Sequence, residues 1–285
     1  MPKAASRSTA GSSRISGSDV ASTPGVESSK ERASGDREAV PSTASRGRGG
    51  RALTLLHAAD LHIGHHAHPD AVLSAFKSML EISRSIAADA ILVAGDLFDS
   101  AAVPSWVVEY VFESFEGAGR PVVILPGNHD TLLTKRDSPF HGLVTPNVRV
   151  LQGDAGETLS PADGLTVWGR PVYEHIPEFH PLAGMPRRPE DGWFVAMGHG
   201  LVSDGTQFRF RGSPILHSEL AAADCDYIAL GHVHTYRNVT CGAAVAYYSG
   251  ASVNGNASTA AIVRLDPGAG VTVQPVAIPY VATRD

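Results

Sequence analysis

From residue 53 onward, short runs of apolar residues alternate with longer amphipathic stretches, and this alternation restricts the fold more than any other feature of the sequence. Residues 53–59, 90–94 and 121–125 have the length and apolar content of buried β-strands. Residues 69–87 place apolar side chains near helical spacing, and residues 104–115 form a second such stretch that begins with proline. This β-α-β-α-β order predicts parallel strands joined by crossover helices.

The second half of the chain is dominated by strand-like segments. Its clearest helical stretch covers residues 217–223. The strand-like segments cover residues 149–151, 165–168, 194–197, 227–230, 244–248, 260–265 and 271–276. We therefore expect a second, partly antiparallel sheet that packs on the first, in a protein of the α/β class.

Polar residues that can bind metal ions follow five of the predicted strands. They are Asp60 and His62, Asp96 and Asp99, Asn128 with His129 and Asp130, His199, and His232 with His234. Ligands of open α/β sheets bind beyond the carboxyl ends of the strands. The fold itself should therefore bring these five clusters to one edge of the molecule.

The chemistry of these side chains favours a site for two divalent cations. Asp, Asn and His supply oxygen and imidazole nitrogen ligands without a thiolate, a set that suits manganese, iron or zinc. Asp60 and His62 are two residues apart, as are His232 and His234, so each pair can point into one pocket from an extended segment. A pair of cations bridged by a carboxylate can hold the attacking and leaving oxygens of a phosphoryl displacement.

Together these motifs resemble the calcineurin-like metallophosphoesterase superfamily over residues 53–285. The motifs are 59–62 (ADLH), 95–99 (GDLFD), 127–130 (GNHD), 198–199 (GH) and 231–234 (GHVH). The resemblance implies a four-layer α/β/β/α sandwich of two mixed sheets flanked by helices. It assigns Asp60, His62, Asp96 and His234 to one metal, and Asp96, Asn128, His199 and His232 to the other, with Asp96 bridging.

The same resemblance implies a mechanism and roles for two further residues. A hydroxide held between two divalent metal ions attacks phosphorus, with manganese the first expectation and iron or zinc the alternatives. His129 matches the histidine that contacts the phosphate and protonates the leaving group, a role suited to imidazole. Asp99 matches a carboxylate that orients this histidine.

A closer resemblance is to DNA-repair exonucleases of the SbcD type. It is carried by residues 95–100 (GDLFDS), by residues 229–234 (ALGHVH) and by residues 248–251 (YSGA). Few residues follow Gly250, where that branch carries a capping domain and elements that bind an ATPase. We therefore expect no capping domain and no ATPase partner of the SbcC type, whereas phosphodiester hydrolysis remains the expectation.

Three hypotheses about function follow. The first is a metal-dependent phosphodiesterase that acts on DNA or another nucleic acid. The second is a phosphatase of nucleotides or other small phosphomonoesters, which the net charge of −6 favours because an acidic protein binds nucleic acid poorly. The third, a non-catalytic binding scaffold, is disfavoured because Asn128, His129 and both paired motifs are present.

Residues 1–50 are rich in Ser, Ala, Gly and Arg and nearly lack large apolar side chains, so we predict a disordered tail before a domain over residues 51–285. No apolar run approaches the length of a membrane span, and residues 1–50 contain no hydrophobic segment typical of a secretory signal. Cys225 and Cys241 have no metal-type spacing. These features favour a cytoplasmic protein that does not associate with membranes.

Several other side chains are expected to have ordinary structural roles. His65, His66 and His68 could line the pocket, but a solvated loop is the preferred expectation for them, and His57 is expected in the core. Arg170 and four histidines without partner spacing are expected at the surface, namely His141, His175, His180 and His217. Trp106, Phe112 and Phe115 are expected in the core beside their helix. Residues 171–191 are interpreted either as a rim or lid over the pocket or as a long connection.

Overall fold

The predicted β-α-β-α-β unit forms the centre of the first sheet. A computed structural model describes residues 50–205, 212–253 and 258–281. Four parallel strands follow one another across this sheet: β1 (Leu53–Ala58), β2 (Ala90–Ala94), β3 (Val122–Leu125) and β4 (Val148–Val150). Two further strands extend the sheet beyond β1: β13 (Thr259–Asp266) pairs antiparallel with β1, and β14 (Gly270–Ala277) pairs antiparallel with β13.

The second sheet is also mixed, as the sequence predicts. Its strands are β5 (Glu157–Ala162), β6 (Leu165–Gly169), β7 (Trp193–His199), β10 (Tyr227–Gly231), β11 (Tyr236–Asn238) and β12 (Val245–Ser249). They lie in the order β11-β12-β10-β7-β6-β5, with the two edge strands antiparallel to their neighbours. Two short strands, β8 (Leu201–Ser203) and β9 (Pro214–Leu216), form a separate parallel pair.

Alternating side chains divide the interior into three apolar layers. On β1, Leu53 and Leu55 face the second sheet, whereas Leu56 packs toward the helices α1 (Pro69–Ser85) and α2 (Ser105–Gly117). A polar pair lies in the innermost layer, in which His57 Nδ1 lies 2.8 Å from the Tyr227 hydroxyl. Because β1 and β10 belong to different sheets, this buried hydrogen bond joins the sheets directly.

The outer face of the second sheet is covered by less helical structure than the outer face of the first sheet. Its only helix among the described residues is α4 (His217–Ala222), and Leu220 of this helix packs on the sheet beside Leu182 from the segment between β6 and β7. The fourth layer of the predicted sandwich is therefore one short helix together with an irregular segment. The remaining helix, α3 (Thr131–Thr134), is a single turn after β3.

Two of the three aromatic side chains predicted in the core beside α2 are buried there. Phe112 and Phe115 are buried as predicted, but Trp106 is 64% exposed, so its placement in the core was wrong. It lies in the first turn of α2, on the face opposite to the buried Val108.

The predicted disordered tail lies outside the described residues, except for Gly50. No helix within the described ranges is long and apolar enough to cross a membrane.

Candidate metal centre

The loops that follow β1 and β2 are held side by side by backbone hydrogen bonds. The amide of Asp60 donates to the carbonyl oxygen of Gly95 (3.0 Å), and the amide of His62 donates to that of Asp96 (3.0 Å). The pairing of the two strands therefore continues beyond the sheet. It brings two sequence-distant motifs to the same edge, as the strand order predicts.

Four of the predicted ligands have left-handed backbone conformations. The φ angles are 53° at Asp60, 48° at His62, 52° at Asp96 and 93° at His232. Such angles are uncommon outside glycine and cluster at functional sites, where the surrounding structure must hold them. Each conformation turns the chain sharply as it leaves a strand.

The first group of donor atoms comes from Asp60, His62 and His234, whose ligand atoms lie within 4.8 Å of one another. His62 Nε2 lies 3.4 Å from His234 Nε2, and His234 Nε2 lies 3.8 Å from an Asp60 oxygen. Both carboxylate oxygens of Asp60 accept a hydrogen bond from the amide of His232, at 3.1 and 3.0 Å. This bond ties the loop after β10 to the loop after β1.

The second group comes from Asp96, His199 and His232, with Asn128 beside it. The fully buried His199 donates its Nδ1–H to the carbonyl oxygen of Ala94 at 2.9 Å, which directs Nε2 to the site. That Nε2 lies 3.1 Å from Asn128 Oδ1 and 3.2 Å from Asp96 Oδ2. Fixing one ring nitrogen so that the other can bind a metal is the usual arrangement of ligating histidines.

The carboxylate of Asp96 lies between the two groups. Its Oδ2 is 3.9 Å from His62 Nε2 of the first group and 3.2 Å from His199 Nε2 of the second. Burial acts to raise the pKa of Asp96, but the His199 imidazole outweighs it and holds that pKa below its usual range. Burial lowers the pKa of His199, and the two nearby carboxylates more than offset this, raising it to about 9.

Glycines before two of the ligand motifs make room for His199. A Cβ on Gly95 would stand 1.9 Å from His199 Nδ1, and one on Gly231 would stand 1.8 Å from the carbonyl oxygen of Ala94. The second contact would displace the same carbonyl that orients the imidazole. These motifs therefore require glycine because the histidine ring packs against bare backbone.

His129 lies at the edge of the first donor group. Its ring is 4.9 Å from the ring of His62, and its Nδ1–H donates to the backbone carbonyl oxygen of Asp99 at 2.6 Å. The sequence predicts that the carboxylate of Asp99 orients this histidine, and here the structure differs. The Asp99 carboxylate instead lies 3.3 Å from His62 Nδ1, because the chain turns after Asp96 so that the Asp99 carbonyl faces His129.

Asp130 belongs to the polar cluster after β3, and in the structure it positions backbone rather than lining the cleft. Its buried carboxylate accepts hydrogen bonds from the amides of Leu97 (3.1 Å), Phe98 (2.8 Å) and Gly127 (2.9 Å). Burial raises the pKa of Asp130 to about 7. Its position after His129 was visible in the sequence, but the three backbone donors come together only in the fold.

The donor groups open into a cleft of about 490 Å³. Every predicted site residue lines it except His199, which is buried behind it. His65 and His68 are exposed, as expected of a solvated loop, yet their nearly parallel rings also form part of the cleft wall. The prediction of a solvated loop is therefore confirmed for these two histidines, which also line the cleft.

His175, which was expected at the surface, is instead half-buried and packs against the site. Its ring centroid is 5.3 Å from that of His232, and its Nδ1 lies 3.1 Å from Ser213 Oγ. No spacing in the sequence relates His175 to the other histidines. Its place depends entirely on the path of the segment between β6 and β7.

Side-chain contacts attach that segment to the body of the protein. Arg170 donates to the carbonyl oxygen of Asp154 (2.9 Å) and stacks on Phe179 at 4.6 Å. His180 lies 2.9 Å from Glu219 of α4. Arg170 is thus engaged in holding the segment, which forms a rim.

Two mixed sheets with carboxylate, amide and imidazole donors at adjoining strand ends define a metal-dependent hydrolase. Residues 53–236 match the family of calcineurin-like phosphoesterases, and the chain belongs to that family. It is accordingly an enzyme that hydrolyses phosphoric ester bonds.

Two proteins are similar in sequence to part of this chain. The SbcD component of nuclease SbcCD from Bacillus subtilis (strain 168) is 26% identical over 279 residues, which cover 79% of this chain and 69% of the relative. The DNA double-strand break repair protein Mre11 of Aeropyrum pernix is 28% identical over 212 residues, covering 64% of this chain and 49% of the relative. The chain thus spans only about half the length of the second relative.

A solved structure supports the fold. The crystal structure of TT1561 of Thermus thermophilus superposes with a TM-score of 0.52 at 17% identity, covering 80% of this chain and 99% of that one. At this identity the likeness bears on the fold alone.

Membership of this family implies divalent metal ions, and the donor set fits them. The site offers oxygen and imidazole ligands without thiolates. Burial raises the pKa of Asp60 to about 7, and the adjacent Asp96 adds to this effect, so nearby positive charge would favour the ionised carboxylate. His62 Nδ1 is buried and, although it lies near Asp99, makes no hydrogen bond among the described residues.

Proposed function

We propose that this enzyme hydrolyses phosphodiester bonds with the help of two divalent cations. One cation is held by Asp60, His62, Asp96 and His234, and the other by Asp96, Asn128, His199 and His232. The observation that carries the proposal is the Asp96 carboxylate, which lies 3.9 Å from one donor group and 3.2 Å from the other. Such cations lower the pKa of water and neutralise phosphate oxygens.

The proposed role of His129 is to protonate the leaving oxygen. The hydrogen bond from Nδ1 to the Asp99 carbonyl fixes the ring and leaves Nε2 as the other exchangeable position. The ring lines the cleft at the edge of the first donor group. A protonated imidazole in this position can donate a proton as a general acid.

Manganese is the first metal to test, with iron and zinc as alternatives. The donors are borderline or hard, and sites of this composition accept all three. Neither donor group contains a thiolate, a ligand that would have favoured zinc.

DNA is the proposed substrate class. The names of the Bacillus subtilis and Aeropyrum pernix relatives describe a nuclease component and a DNA double-strand break repair protein. His65 and His68 line the cleft and are exposed, so this side of the site is accessible to a substrate. We further propose a cytoplasmic location, as the sequence predicts.

A nucleotide or another small phosphoester is the alternative substrate. A volume of about 490 Å³ lies within the range of small-molecule sites. The net charge of −6 weakens non-specific attraction to a polyanion.

A hydrolysis screen of the full chain separates these possibilities. Protein stripped by a chelator and reloaded with Mn²⁺, Zn²⁺ or Fe²⁺ would be given p-nitrophenyl phosphate, bis-p-nitrophenyl phosphate, and single- and double-stranded oligonucleotides. Asp96→Asn serves as the blank and His66→Ala as a matched control, because His66 is exposed and does not line the cleft.

We expect metal-dependent cleavage of diesters, including oligonucleotides, that Asp96→Asn abolishes and His66→Ala retains. Turnover confined to the monoester or to mononucleotides would favour the alternative substrate. Uptake of metal without turnover of any ester would support a binding scaffold and refute the proposal.

A further inference from the structure

In the part of the chain that the structure describes, the imidazole of His232 lacks the backbone hydrogen bond that orients the rings of His199 and His129. The rings of His199 and His129 each donate a hydrogen bond to a backbone carbonyl oxygen. Within the described ranges, the ring of His232 makes no hydrogen bond, although its backbone amide binds Asp60. A ligating histidine normally needs an outer contact that fixes its ring, so packing must supply it here.

That packing comes from two other histidines. The His232 ring lies between those of His199 and His175, with centroid distances of 5.2 and 5.3 Å and interplanar angles of 74° and 55°. His199 is itself fixed by Ala94. On the other side, His175 is the only histidine among the described residues that touches the His232 ring without being a predicted ligand.

His175 is in turn held by a rigid support. Its Nδ1 lies 3.1 Å from Oγ of Ser213, a residue with no exposed surface. The carbonyl oxygen of Ser213 accepts from the amide of Leu201 (3.0 Å) and packs so closely on Gly200 that a Cβ there would stand 2.1 Å away. Because Gly200 follows His199, this support is anchored to the same strand end as the second donor group.

We propose that His175 is a positioning residue that fixes the His232 ring for the second cation. The inference rests on the proposed two-metal function and adds a residue from the rim segment to the support of that site. Ser213 holds His175, and His175 prevents the His232 ring from rotating about its side-chain bonds. Orientation by packing takes the place of the hydrogen bond that the His199 ring donates to Ala94.

The test measures binding of Mn²⁺ alone to the metal-stripped full chain, by calorimetry and by electron paramagnetic resonance. Asn128→Ala and His234→Ala, which alter one donor group each, identify the binding step that belongs to each group. The test variants are His175→Ala, His175→Phe and Ser213→Ala. The matched control is His180→Ala, a partly buried histidine of the same segment that contacts Glu219 instead.

We expect His175→Ala to weaken the step assigned to the second group by about tenfold and to leave the first unchanged. His175→Phe should recover part of the loss because it restores a ring, and Ser213→Ala should shift the same step in the same direction. His180→Ala should bind both cations as the wild type does.

Wild-type affinities in both His175→Ala and Ser213→Ala would overturn the inference while leaving the proposed function intact. Equal weakening by His180→Ala would also overturn it, because the effect would then reflect general loosening of the rim. If His175→Ala does not fold, Ser213→Ala decides alone. A wild-type chain that takes up no Mn²⁺ would instead refute the proposed function.

Discussion

The imidazole of His129 donates its hydrogen bond to the backbone carbonyl oxygen of Asp99, whereas the Asp99 carboxylate lies beside His62. A substitution of the Asp99 side chain therefore leaves the contact that orients His129 in place. The effect of the Asp99 carboxylate on His62 can therefore be measured separately from the orientation of His129.

Asp99→Ala is expected to lower metal affinity more than turnover. Loss of the carboxylate 3.3 Å from His62 Nδ1 should weaken Mn²⁺ binding by about tenfold. At saturating Mn²⁺, kcat should remain within about tenfold of wild type, whereas His129→Ala should lose about 10²-fold or more. Steady-state kinetics over a range of Mn²⁺ concentrations measure both. An equal loss of kcat in the two variants would show that the side chain of Asp99 orients His129.

Asp130→Ala is expected to be strongly destabilising. Three buried amides, those of Leu97, Phe98 and Gly127, would lose their acceptor, and each unsatisfied group costs about 1–3 kcal/mol. We expect the free energy of unfolding in urea to fall by about 3 kcal/mol or more. The control Asp137→Ala, at an exposed position, should change it by less than about 0.5 kcal/mol. Similar effects in both variants would contradict the assigned role.

Gly95→Ala is expected to disrupt the second donor group specifically. The added Cβ would overlap the His199 ring at a backbone φ of +93°, so His199 must move. Gly119 also has a positive φ, +65°, but an added Cβ there meets no atom within 4 Å, so Gly119→Ala should cost only about 1–2 kcal/mol. Metal content after Mn²⁺ loading should fall in Gly95→Ala and remain at the wild-type level in Gly119→Ala. Unchanged metal content in Gly95→Ala would count against the placement of His199.

His57 gives a prediction about pH and stability. Burial lowers the pKa of His57 to about 3 from an unfolded value of 6.5. The folded state therefore favours the neutral ring, whose stabilising effect is fully present above pH 6.5 and is lost as the pH falls toward 3. Between pH 7 and pH 5 this amounts to about 2 kcal/mol.

The variant His57→Gln removes this titration and retains a polar partner for the Tyr227 hydroxyl. Its free energy of unfolding, measured by denaturant titration in the absence of metal, should depend less steeply on pH than that of the wild type. Parallel curves for the two proteins would show that His57 does not titrate with a lowered pKa.

The sequence allowed the central strands and the convergence of the ligand motifs to be predicted, because both depend on local patterns. The second strand, Ala90–Ala94, is apolar throughout and has the predicted bounds. The polar residues after β1, β2 and β3 meet because parallel strands share an edge, a rule that needs no knowledge of side-chain packing.

Other features depend on contacts between distant residues and left no local pattern. Strand β5 has no buried residue and is defined by its pairing with β6. His175 reaches His232 only through the path of the rim segment. Trp106 follows helical spacing but falls on the solvent face of α2. Periodicity could not decide any of these cases.

The backbone hydrogen bonds from Asp60 to Gly95 and from His62 to Asp96 have a consequence for the stability of the metal-free protein. Many small metal-binding domains unfold when a chelator removes their ion, because the ion supplies their folding energy. Here the strand-end loops are joined by main-chain hydrogen bonds and backed by three apolar layers. The apoprotein should therefore keep its shape, and one purified batch could be emptied and refilled repeatedly with different ions.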